Sequence, residues 1–257
     1  MIYLKTEDEI QLIRNSSLLV GKTLAEVARH IKPGVTTLEL DEIAETFIRD
    51  HGAKPGFKGY RGFPATLCIS VNENVVHGIP GNKPLQDGDI ASIDCGVLLD
   101  GYYGDSAFTF PVGNVKPEVI ALMKATRESL YKGIEQAVIG KRTGDIGNAI
   151  QQHVSPMGYG IVRELIGHGV GKHLHESPDV PNYGKKGQGV LLTEGMVIAI
   201  EPMINLGKRH VVQEKDGWTI RTLDRKPSAH YEHTVAIGKD KAEILSSFEG
   251  IDKVLNN

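Results

Sequence analysis

Two aspartates in the opposite strands of a predicted β-hairpin are the first residues whose type and spacing indicate chemistry. Asp100-Gly101 separates two apolar runs, which is a strong signal for a two-residue turn. This turn pairs Leu99 with Tyr102, so that Asp94 and Asp105 become diagonal neighbours on one face, with backbones roughly 7–8 Å apart. Two carboxylates in this arrangement do not both ionise cheaply unless a cation lies between them.

Two further carboxylates occur in runs that otherwise resemble buried strands. Glu201 follows Ile198-Ala199-Ile200, and Glu232 lies in the run from His230 to Ile237. A single acid in a strand-like run is usually solvated or part of a turn. That interpretation would have to hold independently for all four acids. Because an unpaired buried carboxylate is strongly penalised, such groups normally have hydrogen-bonded, charged or metal partners. A metal site is therefore the economical interpretation.

A segment rich in histidine and glycine supplies the remaining candidates. His168 stands between Gly167 and Gly169, a pattern that permits close backbone approach around an inward-pointing imidazole. The sequence has no His-Glu-x-x-His motif, no Gly-x-Ser-x-Gly elbow and no phosphate-binding loop. Four acids and one imidazole could balance two divalent cations, and this oxygen-rich set suits manganese, iron(II), cobalt or zinc.

The elements that must position these residues begin with four helices. Thr6 and Thr36 are each followed three residues later by a glutamate, which is the pattern of a capping box, and apolar residues then recur at helical spacing. Glycine and proline predict where the helices end. The predicted helices run from Thr6 to Lys32-Pro33-Gly34, from Thr36 to His51-Gly52, from Pro117 to Gly140, and from near Thr143 to Gly158.

A faint internal repeat relates the two pairs of helices. An offset of 106 residues places Gly34 over Gly140 and Thr37 over Thr143, and an offset of 107 carries Asp94 onto Glu201. We interpret this as a duplication of helix pair plus sheet within a single domain 1–257, with halves of about 1–114 and 115–257. Chance recurrence of helix caps is the alternative. A duplication would bring Asp94 and Glu201 together at a pseudo-twofold axis.

Composition excludes several classes of protein. The 257 residues carry 29 basic and 32 acidic side chains, a net charge of −3 that gives no general attraction to nucleic acid or to an anionic membrane. Cys68 and Cys95 are too few for a disulfide framework, and an acidic start replaces the basic, apolar start of a signal peptide. We therefore expect a cytoplasmic protein without a membrane span.

Taken together, the motifs resemble the type I methionine aminopeptidases, in their short bacterial-like form. The resemblance implies the α/β pita-bread fold, in which a duplicated helix pair packs on a curved antiparallel sheet, and two divalent metal ions. It further implies a monomer that removes the initiator methionine of nascent proteins when the second residue is small, with contact to the ribosome. The resembling segments are Val75–Pro80, Asp94–Asp105, His168–His175, Ile200–Pro202 and Tyr231–His233.

The resemblance also implies roles for individual residues. A hydroxide that bridges the two metals would attack the scissile carbonyl, with Glu201 relaying a proton. His175 would donate to the carbonyl or the developing oxyanion, and His77 would contact the substrate amide. Leu165 and Leu174 depart from the aromatic residues of some members. The implied metal ligands are Asp94, Asp105, His168, Glu201 and Glu232; the methionine pocket comprises Tyr60, Phe63, Cys68, His77, Leu174 and Trp218; and a sodium or potassium site involves Asn72, Asn74 and Ser228.

Other functions stay open at this point. An aminopeptidase P or prolidase shares the fold and acts beside proline. A non-catalytic pita-bread protein would use the cleft to bind a partner, and a metal-free hydrolase of creatinase type would share the fold without its ions. Retention of all five ligand positions favours the metal-dependent peptidases over the last two classes.

Overall fold

Five α-helices and four antiparallel sheets make up the computed structural model of the protein, which describes residues 1–256. The helices are α1 (Glu7–Ala28), α2 (Thr37–Asp50), α3 (Pro117–Ile134), α4 (Thr143–Val154) and α5 (Glu249–Leu255). The strands are β1 (Lys54–Pro55), β2 (Leu67–Val71), β3 (Asn74–Val76), β4 (Ile90–Leu99), β5 (Tyr102–Pro111), β6 (Gly160–Ile161), β7 (Gly167–Gly169), β8 (Glu176–Val180), β9 (Val197–Ile200), β10 (Met203–Asn205), β11 (Val211–Gln213), β12 (Ile220–Thr222), β13 (Ser228–His230), β14 (His233–Ala236) and β15 (Glu243–Ile244).

The first two helices begin where the capping boxes predict. The Thr6 hydroxyl accepts a hydrogen bond from the Glu9 backbone N–H, and the Glu9 carboxylate accepts one from the Thr6 N–H. Thr36 and Glu39 repeat the same reciprocal bonds at the start of α2. Each pair satisfies backbone donors that a helix start leaves without partners.

The third helix is shorter than predicted. It starts at Pro117, as expected, but ends at Ile134 rather than running on to Gly140. Beyond Ile134 the backbone tightens, since the Ala137 N–H donates to the Ile134 carbonyl, and Val138 then forms a bridge with Gly238. A contact with a distant segment therefore ends this helix, and local sequence does not reveal it.

The predicted hairpin forms in the predicted register. Leu99 lies opposite Tyr102, Gly96 opposite Asp105, and Asp94 opposite Ala107. Asp100 and Gly101 have φ values of 52° and 82°, the left-handed pair of conformations that a type I′ turn requires. The other edge of β4 pairs with β2, while α1 packs on both strands of the hairpin.

The two glutamates lie beside strands rather than inside them, which corrects the sequence-based expectation. Glu201 follows the last residue of β9, where Pro202 has no N–H to continue a ladder. Glu232 lies between β13 and β14, where the chain passes from one sheet to another. There the Glu232 N–H donates to the carbonyl of Ala107 in β5.

The main hydrophobic core joins both predicted halves of the chain. Leu24 and Leu40 from α1 and α2 belong to the same buried cluster as Leu122 and Ile150 from α3 and α4. A helix pair precedes a strand with a neighbouring carboxylate in each half, which is the order that a duplication requires. The duplication itself stays a prediction. Over residues 1–256, no helix has the length and apolar character needed to cross a bilayer.

Candidate metal centre and substrate cleft

One cavity of about 200 Å³ brings together the acids, the histidines and the apolar side chains singled out from the sequence. Strands from both predicted halves form its walls, and Tyr60, His77 and Trp218 come from connecting segments or their edges. The sequence-predicted residues that line it are Tyr60, Phe63, Cys68, His77, Asp94, Asp105, His168, Leu174, His175, Glu201, Trp218 and Glu232.

Three of the acids present buried oxygen atoms that lack hydrogen-bond partners. Within the described residues, Asp94 Oδ1, Asp105 Oδ1 and Glu232 Oε1 are each shielded from solvent and unpartnered. Buried polar atoms in folded proteins nearly always have partners, so three such oxygens in one cavity call for a ligand. Because all three atoms are carboxylate oxygens crowded together, a cation is the ligand that suits them best.

Hydroxyl side chains fix the position of Glu232 beside Asp105. Ser106 Oγ donates to the Glu232 carbonyl at 2.6 Å, and Thr234 Oγ1 donates to the Asp105 carbonyl at 2.7 Å. The Glu232 N–H in turn donates to the Ala107 carbonyl at 2.9 Å. These bonds join β5 to the segment between β13 and β14. We call this hydroxyl-bonded junction between residues 105–109 and 230–234 the seam.

His168 completes the polar wall in a defined tautomer. Its Nδ1 lies 2.9 Å from the Gly169 carbonyl oxygen, and because a carbonyl only accepts, Nδ1 must carry the proton. The unprotonated Nε2 then points to the acids, 3.9 Å from Asp105 Oδ2 and 3.6 Å from Glu201 Oε1. One potential ligand atom from each of Asp105, His168 and Glu232 lies within 4.8 Å of the other two.

Burial dominates the protonation of this cluster when it holds no cation. It raises the pKa of Asp94 to about 7, and together with the neighbouring acids it raises the pKa values of Asp105, Glu201 and Glu232 well above their ordinary range. Burial also lowers the pKa of His168 to about 4, so the ring is neutral and can act as a ligand. Hard carboxylate oxygens with one neutral imidazole fit a divalent ion and exclude a soft thiolate site.

Two histidines face the space next to the acids. His175 Nδ1 lies 2.9 Å from the Tyr60 hydroxyl, and its ring centre is 4.2 Å from that of His168. Desolvation by the cleft walls, the nearby His168 and the positive charge of Arg61 lower the pKa of His175. Burial likewise lowers the pKa of His77. Both rings are therefore neutral donors at neutral pH.

An apolar slot adjoins these polar groups. Phe63, Cys68 and Leu174 are buried in one cluster, and Trp218 closes it edge-on to Phe63, with ring centres 5.2 Å apart. Sequence reasoning identified these residues but not their neighbours Phe57, Ala65, Ile79, Tyr103 and the cleft residue Arg61. No sequence signal separates these neighbours from ordinary core or surface residues.

His230 is a further residue that sequence reasoning missed. Its Nε2 is buried without a partner in the described chain and lies 3.9 Å from Glu201 Oε2. His230 precedes Glu232 by two residues, and side chains two apart in an extended segment point to the same side. This two-residue spacing from Glu232 is the sequence signal by which His230 could have been identified.

The structure brings together only some of the residues implied for the monovalent-cation site. The Ser228 N–H donates to the Asn72 carbonyl at 2.9 Å. The Asn72 side-chain oxygen already accepts from the Ile90 N–H, and Ser228 Oγ donates to the Ile204 carbonyl. Asn74 lies in β3, opposite Arg221 of β12. The cation site therefore stays a prediction.

Comparison with known proteins assigns this site to a class. The family model described as metallopeptidase family M24 matches residues 11–239, and the chain belongs to this family. The methionine aminopeptidase of Clostridium perfringens is 53% identical over 96% of this chain and 99% of the relative. The crystal structure of methionine aminopeptidase from Rickettsia prowazekii superposes with a TM-score of 0.95, at 42% identity over 96% of this chain and 100% of that one. Within the family, the chain thus groups with the methionine aminopeptidases.

A prolidase is a more distant neighbour. The prolidase from Pyrococcus furiosus matches with a TM-score of 0.79 at 25% identity, and the match covers 96% of this chain but 66% of that one. The pita-bread fold of the methionine aminopeptidases is thus the fold of this chain, and it is shared with a prolidase.

Proposed function

We propose that this protein is a metal-dependent methionine aminopeptidase that removes the initiator methionine of nascent proteins when the second residue is small. One observation carries the proposal: buried, unpartnered carboxylate oxygens and the unprotonated Nε2 of His168 share a cavity with an apolar, aromatic-lined slot. The acids can hold cations while the slot holds the terminal residue of a peptide.

The proposed ligands are the four acids and one imidazole that face the cavity. Asp105 and Glu232 lie at the seam and would bridge two ions, while Asp94, His168 and Glu201 would complete their coordination. Divalent ions held there supply a Lewis acid for the peptide carbonyl and lower the pKa of a water molecule. The donor set supports manganese, iron(II), cobalt or zinc without selecting among them.

Glu201 is proposed to move the proton during hydrolysis. Its carboxyl group borders the cavity beside the other proposed ligands, where it could accept a proton from water and then return it to the leaving amine.

His175 and His77 are proposed to orient and polarise the scissile peptide. If the Tyr60 hydroxyl donates to His175 Nδ1, then Nε2 carries the proton and can donate to the substrate carbonyl as negative charge develops. His77 lies beside Trp218, with ring centres 6.5 Å apart, where it can contact the substrate amide next to the slot. Both roles require neutral rings.

Methionine specificity is assigned to the slot of Tyr60, Phe63, Cys68, Leu174 and Trp218. A thioether is polarisable and packs favourably against aromatic edges, which Phe63 and Trp218 provide. The proposal places the enzyme in the cytoplasm as a monomer that meets nascent chains at the ribosome. The two unpaired cysteines support a reducing compartment.

Peptide hydrolysis after metal reconstitution tests the proposal. The purified protein, loaded with each candidate ion, should release methionine from Met-Ala-Ser and should leave Met-Leu-Ser and Ala-Pro-Ser largely intact. Preferential cleavage beside proline would establish the prolidase-like alternative instead. Stoichiometric metal binding without turnover of any peptide would support the non-catalytic binding protein.

A further inference from the structure

We propose that Lys5 positions His175 for catalysis through a buried ion pair with Glu176. The inference rests on the proposed function, because His175 is the proposed donor to the substrate carbonyl. Lys5 lies just before α1 and lines no part of the cleft, whereas Glu176 directly follows His175 and begins β8. Lys5 is therefore a positioning residue rather than a catalytic one.

The ion pair is short and shielded from water. Lys5 Nζ lies 2.6 Å from Glu176 Oε2, and the two side chains are 5% and 3% exposed. Lys5 Nζ also donates to the Tyr3 carbonyl at 2.9 Å. Most other ion pairs of the described chain involve side chains with far greater exposure, such as Lys253 with Glu249 at 71% and 74%.

The same carboxylate closes a turn around His175. Glu176 Oε1 accepts a hydrogen bond from the His173 N–H at 3.1 Å, while Oε2 binds Lys5. Leu174 and His175 lie between these two anchored residues. Leu174 is 1% exposed in the wall of the slot, and His175 faces the acids. One carboxylate thus holds the turn that presents both a specificity residue and the proposed donor.

The backbone of the adjoining loop packs directly on the pair. A Cβ atom at Gly171 would lie 2.6 Å from Glu176 Oε1 and 2.7 Å from the Lys5 Cε atom. Both distances are shorter than a carbon atom allows. The loop from His168 to His175 is therefore built around the Lys5 and Glu176 side chains, which leaves no room for a side chain at Gly171.

Lys5 is itself fixed from the opposite side. Its N–H donates to the Gly195 carbonyl at 2.7 Å, in the turn that leads into β9 and Glu201. Ile2 forms a parallel bridge with Ser177, the residue after Glu176. Residues 2–5 thus brace the His175 turn against the segment that carries Glu201.

Loss of the ion pair between Lys5 and Glu176 should have a measurable effect on the rate of catalysis. A buried ion pair is weak evidence for stability, because desolvation offsets much of the attraction between its charges. Geometry at a reacting centre is more sensitive, since a misplacement of about 1 Å can cost about 10²-fold in rate. Loss of the pair should therefore lower kcat through His175 even where the protein stays folded and loaded with metal.

The decisive experiment is a double-mutant cycle in the metal-loaded, full-length enzyme. Lys5→Met and Glu176→Gln are each made in the wild-type and in the His175→Ala background, and kcat and KM are measured with Met-Ala-Ser. We expect each single substitution to lower kcat by about tenfold in the wild-type background and to leave kcat unchanged when His175 is already absent. Lys5→Arg should retain most of the activity.

A second variant guards against misfolding. Lys5→Met combined with Glu176→Met replaces both charges by apolar side chains, an exchange that buried pairs often tolerate. It should fold and still show the loss of kcat. Lys132→Met is the control, because it breaks an exposed ion pair with Glu135 at the end of α3, outside the cleft lining, and should leave kcat unchanged.

The outcomes separate this inference from the proposed function. Equal losses of kcat in both backgrounds, or no loss in an active enzyme, would overturn the positioning role alone. An inactive wild-type enzyme would count against the proposed function, and nitrogen-15 NMR of the histidine side chains would still test the brace. Lys5→Met should then shift or broaden the His175 ring signals with unchanged His153 signals, and unchanged His175 signals would refute it.

Discussion

Asp105 Oδ2 and His168 Nε2 lie 3.9 Å apart across the cleft, although one residue belongs to β5 and the other to β7. The distance is too long for a hydrogen bond. It is still short enough for both atoms to bind one ion at about 2.0–2.2 Å each. These two buried side chains would therefore contribute ligand atoms to the same ion of the proposed metal site.

Replacing Asp105 by Asn should abolish high-affinity metal binding while stabilising the metal-free protein. The amide supplies no charge to the ions, so the affinity should fall at least about 100-fold. Without metal, the same change removes a group that crowds Asp94 and Glu232 with like charge. Titration calorimetry and thermal unfolding in chelator measure the two effects. Asp100→Asn, in the exposed hairpin turn, should alter neither, and intact metal affinity in Asp105→Asn would contradict the ligand assignment.

The stability of the metal-free protein should fall as the pH rises from 6.5 to 8.5. In the unfolded chain the cluster carboxyl groups ionise near pH 4, whereas burial raises the pKa of Asp94 to about 7 and those of Asp105, Glu201 and Glu232 well above the ordinary range. Their contribution to stability is therefore full below about pH 4 and is lost as the pH rises through the folded pKa values, by up to about 1.4 kcal/mol per pH unit for each group.

Histidine effects do not obscure that window. Burial lowers the pKa of His168 to about 4, so its contribution is lost only as the pH falls below about 6.5, the unfolded value. Thermal unfolding in chelator at several pH values measures the trend, and metal-loaded protein serves as the comparison. Constant stability of the metal-free form from pH 6.5 to 8.5 would mean that the acids are ionised without a cation.

Replacing Glu201 by Gln should slow turnover more than it weakens metal binding. The amide keeps one oxygen that can bind an ion but cannot accept a proton, so kcat should fall by about 10²–10⁴-fold. Steady-state kinetics and metal analysis of the same preparation separate the two roles. A variant with full metal content and near wild-type kcat would exclude Glu201 as the proton carrier.

Removing the Tyr60 hydroxyl should produce a smaller effect through His175. Tyr60→Phe deletes the 2.9 Å contact with His175 Nδ1 and keeps the ring that lines the slot. Loss of one neutral hydrogen bond is worth about 1 kcal/mol, so kcat should fall roughly fivefold with metal content unchanged. Tyr103→Phe serves as the control, and an equal fall in both variants would argue against a specific role of the Tyr60 contact.

Truncation of Phe63 should weaken selection of methionine without affecting the metals. Phe63 is buried and contacts Trp218 edge-on in the slot. Phe63→Ala should lower kcat/KM for Met-Ala-Ser by roughly 10–100-fold, because a large apolar contact is lost. Side-by-side assays with Met-Ala-Ser and Phe-Ala-Ser measure the selectivity, and an unchanged ratio would place the specificity elsewhere.

Local sequence signals predicted the parts of the fold that local physics determines. The helix starts at Thr6 and Thr36 follow from reciprocal capping bonds, and the register of Asp94 and Asp105 follows from the two-residue turn. The end of α3 at Ile134 did not follow, because a bridge between Val138 and Gly238 sets it.

The site was predictable as a set of residues and not as an arrangement. Spacing and resemblance selected the acids and histidines, while the hydroxyl bonds that place Glu232 beside Asp105 join segments far apart in sequence. The pairing of Lys5 with Glu176 also joins residues far apart in sequence, and either residue alone resembles an ordinary surface charge. Only the folded chain reveals which distant residues meet.

The seam between β5 and the segment around Glu232 also determines how its backbone amides can exchange with solvent. The His230 N–H donates to Thr109 Oγ1 and the Glu232 N–H to the Ala107 carbonyl, each at 2.9 Å and within the buried interior. Neither donor can reach water through fraying of a strand end, so their exchange with deuterium requires the two segments to separate. Amide protection at these positions should then report the free energy of global opening. The backbone beside Glu232 should in this respect be among the slowest-opening parts of the described chain.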